Sequence, residues 1–309
     1  MELIPPNLKV DFLGKRYIAF AISFVVICFS FYQWFSLGEK KFGIDYLGGH
    51  ELVVKFQDGA STDDLRGILK KAELTAVVQA FESNVGEYSI RLSSDKKPGE
   101  VKKDVSEALS EEHAGKFEII KTDFVGPTIG EELKRKALMA IVIGLVGMLL
   151  YISFRFELAF AVGAVAALFH DVVVTMGVYL ACDMTISVAT LAAALTIVGY
   201  SVNDTIIVFD RVREEILKAR DYELEDLINY SISATLSRTV ITSLLTLFSA
   251  VALLVFGGGG IAELALFLTV GVITGTYSTI FIASPVALAW ERFQDRASSA
   301  ARKEANAAS

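Results

Sequence analysis

The stretch Leu191-Ala-Ala-Ala-Leu-Thr-Ile-Val-Gly-Tyr-Ser-Val-Asn-Asp-Thr-Ile-Ile-Val-Phe209 is long enough to cross a bilayer, yet it carries Asn203 and Asp204 side by side. A helix needs about 20 residues to span ~30 Å of hydrocarbon. A carboxylate within that layer is costly, so such residues mark ion or substrate paths by default. Arg238, which opens the next apolar run after a polar connection, is the candidate partner of Asp204. Six runs in all qualify as spanning helices: 17–35, 137–154, 158–181, 185–209, 239–256 and 264–290. Hydrophobic residues make up 53% of the chain and its mean hydropathy is +0.50, as expected of a polytopic α-helical membrane protein.

Lys and Arg in the short segments set the orientation. Lys9, Lys15 and Arg16 precede the first run, and Arg155 follows the second. Arg211, Arg213, Lys218 and Arg220 follow the fourth, and Arg292, Arg296, Arg302 and Lys303 lie in the tail. These segments belong in the cytoplasm, with both termini. The links around 182–184 and 257–260 carry no Lys or Arg. Lys134-Arg135-Lys136, just before the second run, is a local exception, in a loop long enough to cross regardless of charge. The net charge of -7 sums unlike compartments and says little about partners; nothing supports nucleic-acid binding. Bulky Tyr32, Trp34 and Phe35 where a cleavage site would need small residues mark the first run as an uncleaved anchor. Cys28 and Cys182 are far apart and form no disulfide framework or metal spacing. The expected division is 1–36 for the N-terminus and first helix, 37–136 for an exoplasmic domain, 137–290 for a five-helix bundle with a cytoplasmic link at about 210–238, and 291–309 for a tail.

Between 37 and 136 the periodicity is that of a soluble α+β domain. Strands are expected at 51–56, 76–81, 87–92 and 116–123, with Asn84 and Gly86 in the turn between the middle two. Ser61-Thr-Asp-Asp-Leu65 opens one helix with a capping residue and early acids, and a second follows Pro98-Gly99 to about Glu112. The order strand, helix, strand, strand, helix, strand is that of a ferredoxin-like split β-α-β fold. No nucleophile-base set, metal cluster or phosphate loop appears in it, so it is a binding or moving part.

In the spans, Asp204 lies six residues before Asp210, roughly 9 Å inward at 1.5 Å per residue. Burial favours its neutral form and a nearby Arg its charged form, and the two effects oppose each other. Thr239, Thr242, Ser243, Thr246 and Ser249 form a polar stripe beyond Arg238, either lining a hydrated path or bonding back to their own helix. His170-Asp171 stands about 20 Å in from Leu158 and is a second candidate relay, together with Thr242 and Thr246. The alternative is a satisfied polar contact, since adjacent residues do not share one helix face. Gly271 and Gly275 have small-xxx-small spacing for close helix packing. Residues 211–237 have roughly helical apolar spacing and are expected to lie on the cytoplasmic surface, as an interfacial helix or a docking surface. An intramembrane aspartic protease needs two facing carboxylates, and Asp171 and Asp204 lie at different depths.

Phe42-Gly-Ile-Asp-Tyr-Leu-Gly-Gly49, Phe124-Val-Gly-Pro-Thr-Ile-Gly130, Gly199-Tyr-Ser-Val-Asn-Asp-Thr205 with Asp210-Arg211-Val-Arg-Glu214, and Leu236-Ser-Arg-Thr-Val-Ile-Thr-Ser243 resemble the motifs of the SecF family. SecF is the smaller half of the bacterial SecDF protein-export complex, in the resistance-nodulation-division group. The resemblance covers nearly the whole chain, including one span plus five around an exoplasmic domain. It implies an inner-membrane subunit, not a hydrolytic enzyme, that uses the proton-motive force to help secreted polypeptides leave the SecYEG translocon. SecD is the implied partner, YajC and YidC are further ones, and no cofactor or metal is implied. In the family the acid of the fourth span and the arginine heading the fifth act in proton passage, which carries over to Asp204 and Arg238. A non-conducting scaffold that holds emerging chains is the alternative.

Overall fold

A computed structural model describes residues 10–80, 86–94, 96–218 and 222–308, with side chains to 298. Lys9, Phe81, Asn84, Arg220 and the side chains of Arg302 and Lys303 lie outside the described residues. The chain enters through α1 (Arg16–Ser36), then a short turn of helix, α2 (Ile44–Leu47). A small domain follows: β1 (Gly49–Phe56), α3 (Thr62–Lys71), β2 (Ala76–Ala80), β3 (Glu87–Leu92), α4 (Pro98–His113) and β4 (Phe117–Val125). The strands form one antiparallel sheet in the order β2-β3-β1-β4, the ferredoxin-like topology. Ser61 caps α3 by accepting from the Asp63 amide, and Pro98 opens α4 where its missing N–H is no loss. Alternation along β1 turns Leu52, Val54 and Phe56 toward the helices, where they pack with Leu65, Leu69, Ile90, Val105 and Leu109. The other face is polar: Ser89 donates to Glu51 at 2.5 Å and Arg91 donates to Gln79.

The bundle is built from α5 (Pro127–Arg155), α6 (Leu158–Ala181), α7 (Val188–Lys218), α8 (Leu224–Phe256), α9 (Gly259–Ser278) and α10 (Ser284–Ala308). Among the described residues six helical stretches are long and apolar enough to cross a membrane, the last running through Gly259–Ser298. Within it Thr279–Ala283 is a π-helical turn. Pro285 explains its position: the ring has no N–H for the carbonyl four residues back, and the helix widens ahead of it.

Residues 211–237 depart from the expected interfacial helix. α7 continues to Lys218 and α8 begins at Leu224, so the described part of the link extends both spans as helix. Neither Gly nor Pro interrupts the chain between Tyr200 and Phe256, and ion pairs of Arg211 and Lys218 with Glu214 and Glu215 extend α7 into polar surroundings. Val212, Ile228 and Ile232 are buried in the bundle core, not laid on a surface.

Close helix approach recurs at glycine. A Cβ at Gly163 of α6 would stand 2.5 Å from the Ala283 carbonyl oxygen, and one at Gly271 of α9 would stand 2.5 Å from the buried side chain of Ile197 on α7. Gly163→Ala is therefore expected to lower stability by about 1–3 kcal/mol, because a backbone atom must move. Gly147→Ala on α5, where a Cβ meets nothing within 4 Å, is expected to be neutral or to gain up to ~1 kcal/mol from helix propensity. Thermal unfolding of the two purified variants in one detergent checks the contrast.

Candidate functional site

One face of α7 is polar at helical spacing: Thr190, Ser201, Asp204 and Thr205 are all buried. Gly271 and Gly275 bring α9 against that face, and a Cβ at Gly275 would stand 3.1 Å from Ser201. Thr205 and Thr279 meet at 3.0 Å across the same seam.

Asp204 is 2% exposed, and its Oδ2 has no hydrogen-bond partner. The Ser243 hydroxyl of α8 lies beside the carboxylate, and Arg238, five residues earlier on that helix, acts on it through its charge. The two are not in ion-pair contact; Arg238 is exposed, as is Asn203. The structure thus gathers Asp204 with Ser243, leaves Arg238 within its field and turns Asn203 outward. In the hydroxyl stripe, Thr242 donates to the Arg238 and Thr239 carbonyls, Thr246 to Thr242 and Ser249 to Leu245, all on their own helix. Ser243 differs: it bonds Thr276 of α9 at 2.8 Å. The Thr239 hydroxyl and the Tyr200 phenol are, like Asp204 Oδ2, buried without partners.

His170 and Asp171 do interact, contrary to the expectation from their adjacency. His170 Nδ1 lies 3.1 Å from Asp171 Oδ1. Consecutive residues point about 100° apart, and two short side chains bridge that angle when both turn into the same buried sector. Asp171 Oδ2 accepts from Ser201 at 2.5 Å and from Ser278 at 2.7 Å. His170 Nε2 meets Ser23 Oγ of α1 at 3.1 Å, Ser23 meets the Tyr277 hydroxyl at 3.1 Å, and Tyr277 donates to the Ala19 carbonyl. The network ties α1, α6, α7 and α9 together, and both Asp171 oxygens are satisfied. Its serines and tyrosine carried no signal in the sequence, being ordinary residues at helical spacing.

A further connection escaped sequence reasoning. Asp45 Oδ2 accepts from the Val188 amide at 2.8 Å and so caps the first turn of α7 from across the chain. The segment before α2 pairs with the loop before α7: the Gly43 amide donates to Ile186 O at 2.8 Å and the Ile186 amide to Lys41 O at 2.7 Å. Tyr46 donates to the Ser187 carbonyl at 3.2 Å, and burial, aided by the Asp45 charge, pushes its phenol up to about 12, so it stays a donor. The Gln79 amide on the sheet donates to the Asp183 carbonyl of the same loop. Burial lowers the pKa of Arg91 on that polar sheet face, against the attraction of Glu51 and Glu263. The helix bearing Asp204 is thus held at its first residue by the segment entering the sheet domain. Among the described residues no cluster of His, Cys, Asp and Glu is arranged to hold a metal.

The family described as "Protein export membrane protein SecD/SecF, C-terminal" matches residues 105–293. The protein translocase subunit SecF of Thermodesulfovibrio yellowstonii is 40% identical over 286 residues, covering 91% of this chain and 94% of that one. SecF of Pseudomonas aeruginosa is 39% identical over 289 residues, covering 92% and 93%. The crystal structure of SecDF from Thermus thermophilus, a translocon-associated membrane protein, superposes with a TM-score of 0.83 at 34% identity over 94% of this chain. This chain spans 40% of that longer one. A SecDF structure in a super-membrane-facing form matches at 0.69, with 96% of this chain covered. With its six apolar helices, the chain is an integral protein of the bacterial inner membrane and belongs to the SecF family of protein translocase subunits.

Proposed function

We propose that this chain is the SecF half of a SecDF-type complex that couples the proton-motive force to export and release of secreted polypeptides. Both termini lie in the cytoplasm and the sheet domain on the far side. SecD pairs with the bundle, and the SecYEG translocon, with YajC and YidC, lies nearby. The single observation that carries the reading is the buried, half-partnered carboxylate of Asp204. A buried acceptor without a partner costs about 1–3 kcal/mol, and a site that keeps one has a use for it. Its free oxygen takes a proton, or a water that brings one, while Arg238 stands close enough to feel the charge disappear. Exposed Asn203 and Arg238 lie where a partner's helices complete the path. A proton crossing the membrane gains roughly 2.3 kcal/mol per 100 mV, enough to bias two packings of α7 against α8.

Coupling to the sheet domain runs through α7, whose first turn is capped by Asp45. The lower TM-score against the super-membrane-facing form accords with a SecDF architecture that takes more than one arrangement. The non-conducting scaffold is favoured by the back-bonded hydroxyls of Thr242, Thr246 and Ser249, which leave α8 without a continuous chain of free donors.

Proton flux decides between them. In vesicles holding this chain with SecD under an imposed gradient and an engaged secretory chain, Asp204→Asn is expected to abolish flux at unchanged expression. Undiminished flux would leave the scaffold. Asp171→Ala is expected to fail differently: it strands the Ser201 hydroxyl and His170 Nδ1, while Ser278 keeps its bond to the Gly275 carbonyl, and should lower stability by at least ~2 kcal/mol. Thermal unfolding should show Asp204→Asn within ~1 kcal/mol of the parent, since it removes no completed ion pair. Asp45→Ala should cost ~1 kcal/mol through the lost cap and uncouple the machine, with flux retained and export of a reporter reduced. Equal retention of both would mean that Asp45 only caps.

A further inference from the structure

The triplet Lys134-Arg135-Lys136 sits at the end of the bundle that carries the sheet, opposite to where short-segment charge places the other basic residues. The structure gives it a setting. α5 stands off the rest of the bundle, its Leu138, Ile143, Leu150 and Phe154 all exposed. Between α5 and the pair α6 and α7 runs a groove of about 290 Å³, lined by Trp34, Leu138, Leu145, Met176, Ala194 and Val198. Its walls are almost entirely apolar, so within a bilayer it fills with hydrocarbon rather than water.

The mouth is cationic. Phe42 and Lys134 stand there, the Lys134 ammonium 5.8 Å from the centre of the Phe42 ring. The Lys41 ammonium is 5.2 Å from that ring and 4.4 Å from the Trp34 ring, and donates to the Trp34 carbonyl. Lys41 is buried, and among the described residues neither lysine has a carboxylate at ion-pair distance. Lys136, by contrast, is paired with Glu132 at 2.8 Å. Two ammonium groups beside one aromatic ring, one of them buried, lack the anion that ordinarily accompanies a buried charge. The rings of Trp34, Phe42 and Tyr46 mark this level as the interface between hydrocarbon and headgroups.

We propose that the groove holds an acyl chain of an anionic glycerophospholipid whose phosphate lies between Lys41 and Lys134. The charge selects the headgroup and the apolar walls hold the chain, so basic residues on this side serve lipid binding rather than orientation.

Trp34 reports on the groove from within. The full chain carrying Trp290→Phe has Trp34 as its sole tryptophan, and can be reconstituted in vesicles with graded amounts of dibrominated phosphatidylglycerol or dibrominated phosphatidylcholine. Half-quenching is expected at about thirtyfold lower mole fraction of the anionic lipid, the effect of roughly 1 kcal/mol for each of the two lysines near a headgroup. Lys134→Gln should cut the preference to about fivefold, the share of Lys41 alone, and Lys134→Arg should keep it whole. Ala194→Phe, which narrows the groove and leaves the charges in place, should also remove the excess quenching. Equal quenching of the parent by both lipids overturns the proposal. So does a preference that Lys134→Gln leaves undiminished, and one that survives Ala194→Phe, which would mean a headgroup on the surface with no chain in the groove.

Discussion

The approach of α9 to α7 at Gly271 and Gly275 is the contact on which the interior of the bundle depends. With no side chain on α9 at these two positions, Ile197 and Ser201 of α7 occupy the space, and Ser201 reaches Asp171 on α6. The same proximity joins Thr205 to Thr279 and sets α9 where Thr276 meets Ser243 of α8. Hydrocarbon offers no hydrophobic drive between helices, so close packing and interhelical hydrogen bonds carry the association. Small residues come first because they bring donors and acceptors on three helices within reach of one another. The polar groups then make the seam specific, since each would otherwise be stranded in lipid.

The two buried carboxylates answer that constraint in opposite ways. Asp171 is surrounded by His170, Ser201 and Ser278 and uses both oxygens. Nothing in its surroundings needs to change, and fully connected networks of this kind rigidify a core. Asp204, one turn from Ser201 on the same helix, has an oxygen with no partner and a guanidinium in range but not in contact. A charge so placed is sensitive to small movements of Arg238 or to the arrival of a proton. The fully bonded site thus braces the helix that carries Asp204.

Hydrophobic run length made all six spans legible, and alternation with turn residues made the ferredoxin-like order legible, because both follow from local periodicity. The ends of α7 and α8 were not: their extension past the apolar runs rests on the lack of breakers and on burial of Val212, Ile228 and Ile232 against distant helices. Asp204 stood out because a carboxylate in an apolar run is rare. Its relation to Arg238 as a field rather than a contact depends on how α7 and α8 pack, which no spacing encodes. The bond between His170 and Asp171 was hidden by a rule of helix faces that holds for exposed surfaces but not for a sector buried among three neighbours. Asp45 was visible only as part of a motif, since the amide it caps lies 143 residues away in sequence.

α7 has 31 residues, hence a length of roughly 46 Å at 1.5 Å per residue, longer than a ~30 Å hydrocarbon layer. One end is held by Asp45 and by the pairing of Ile186 with the segment that enters the sheet. Toward the other, Asp210 is paired with Arg155 of α5 at 3.1 Å. Asp204 lies between these attachments, 16 residues from Val188, or ~24 Å along the axis. An unbroken helix of that length transmits a tilt or an axial shift with little loss. A change in charge at Asp204 that altered the packing of α7 on α8 would therefore be felt at the base of the sheet domain without any path of side chains through the bundle.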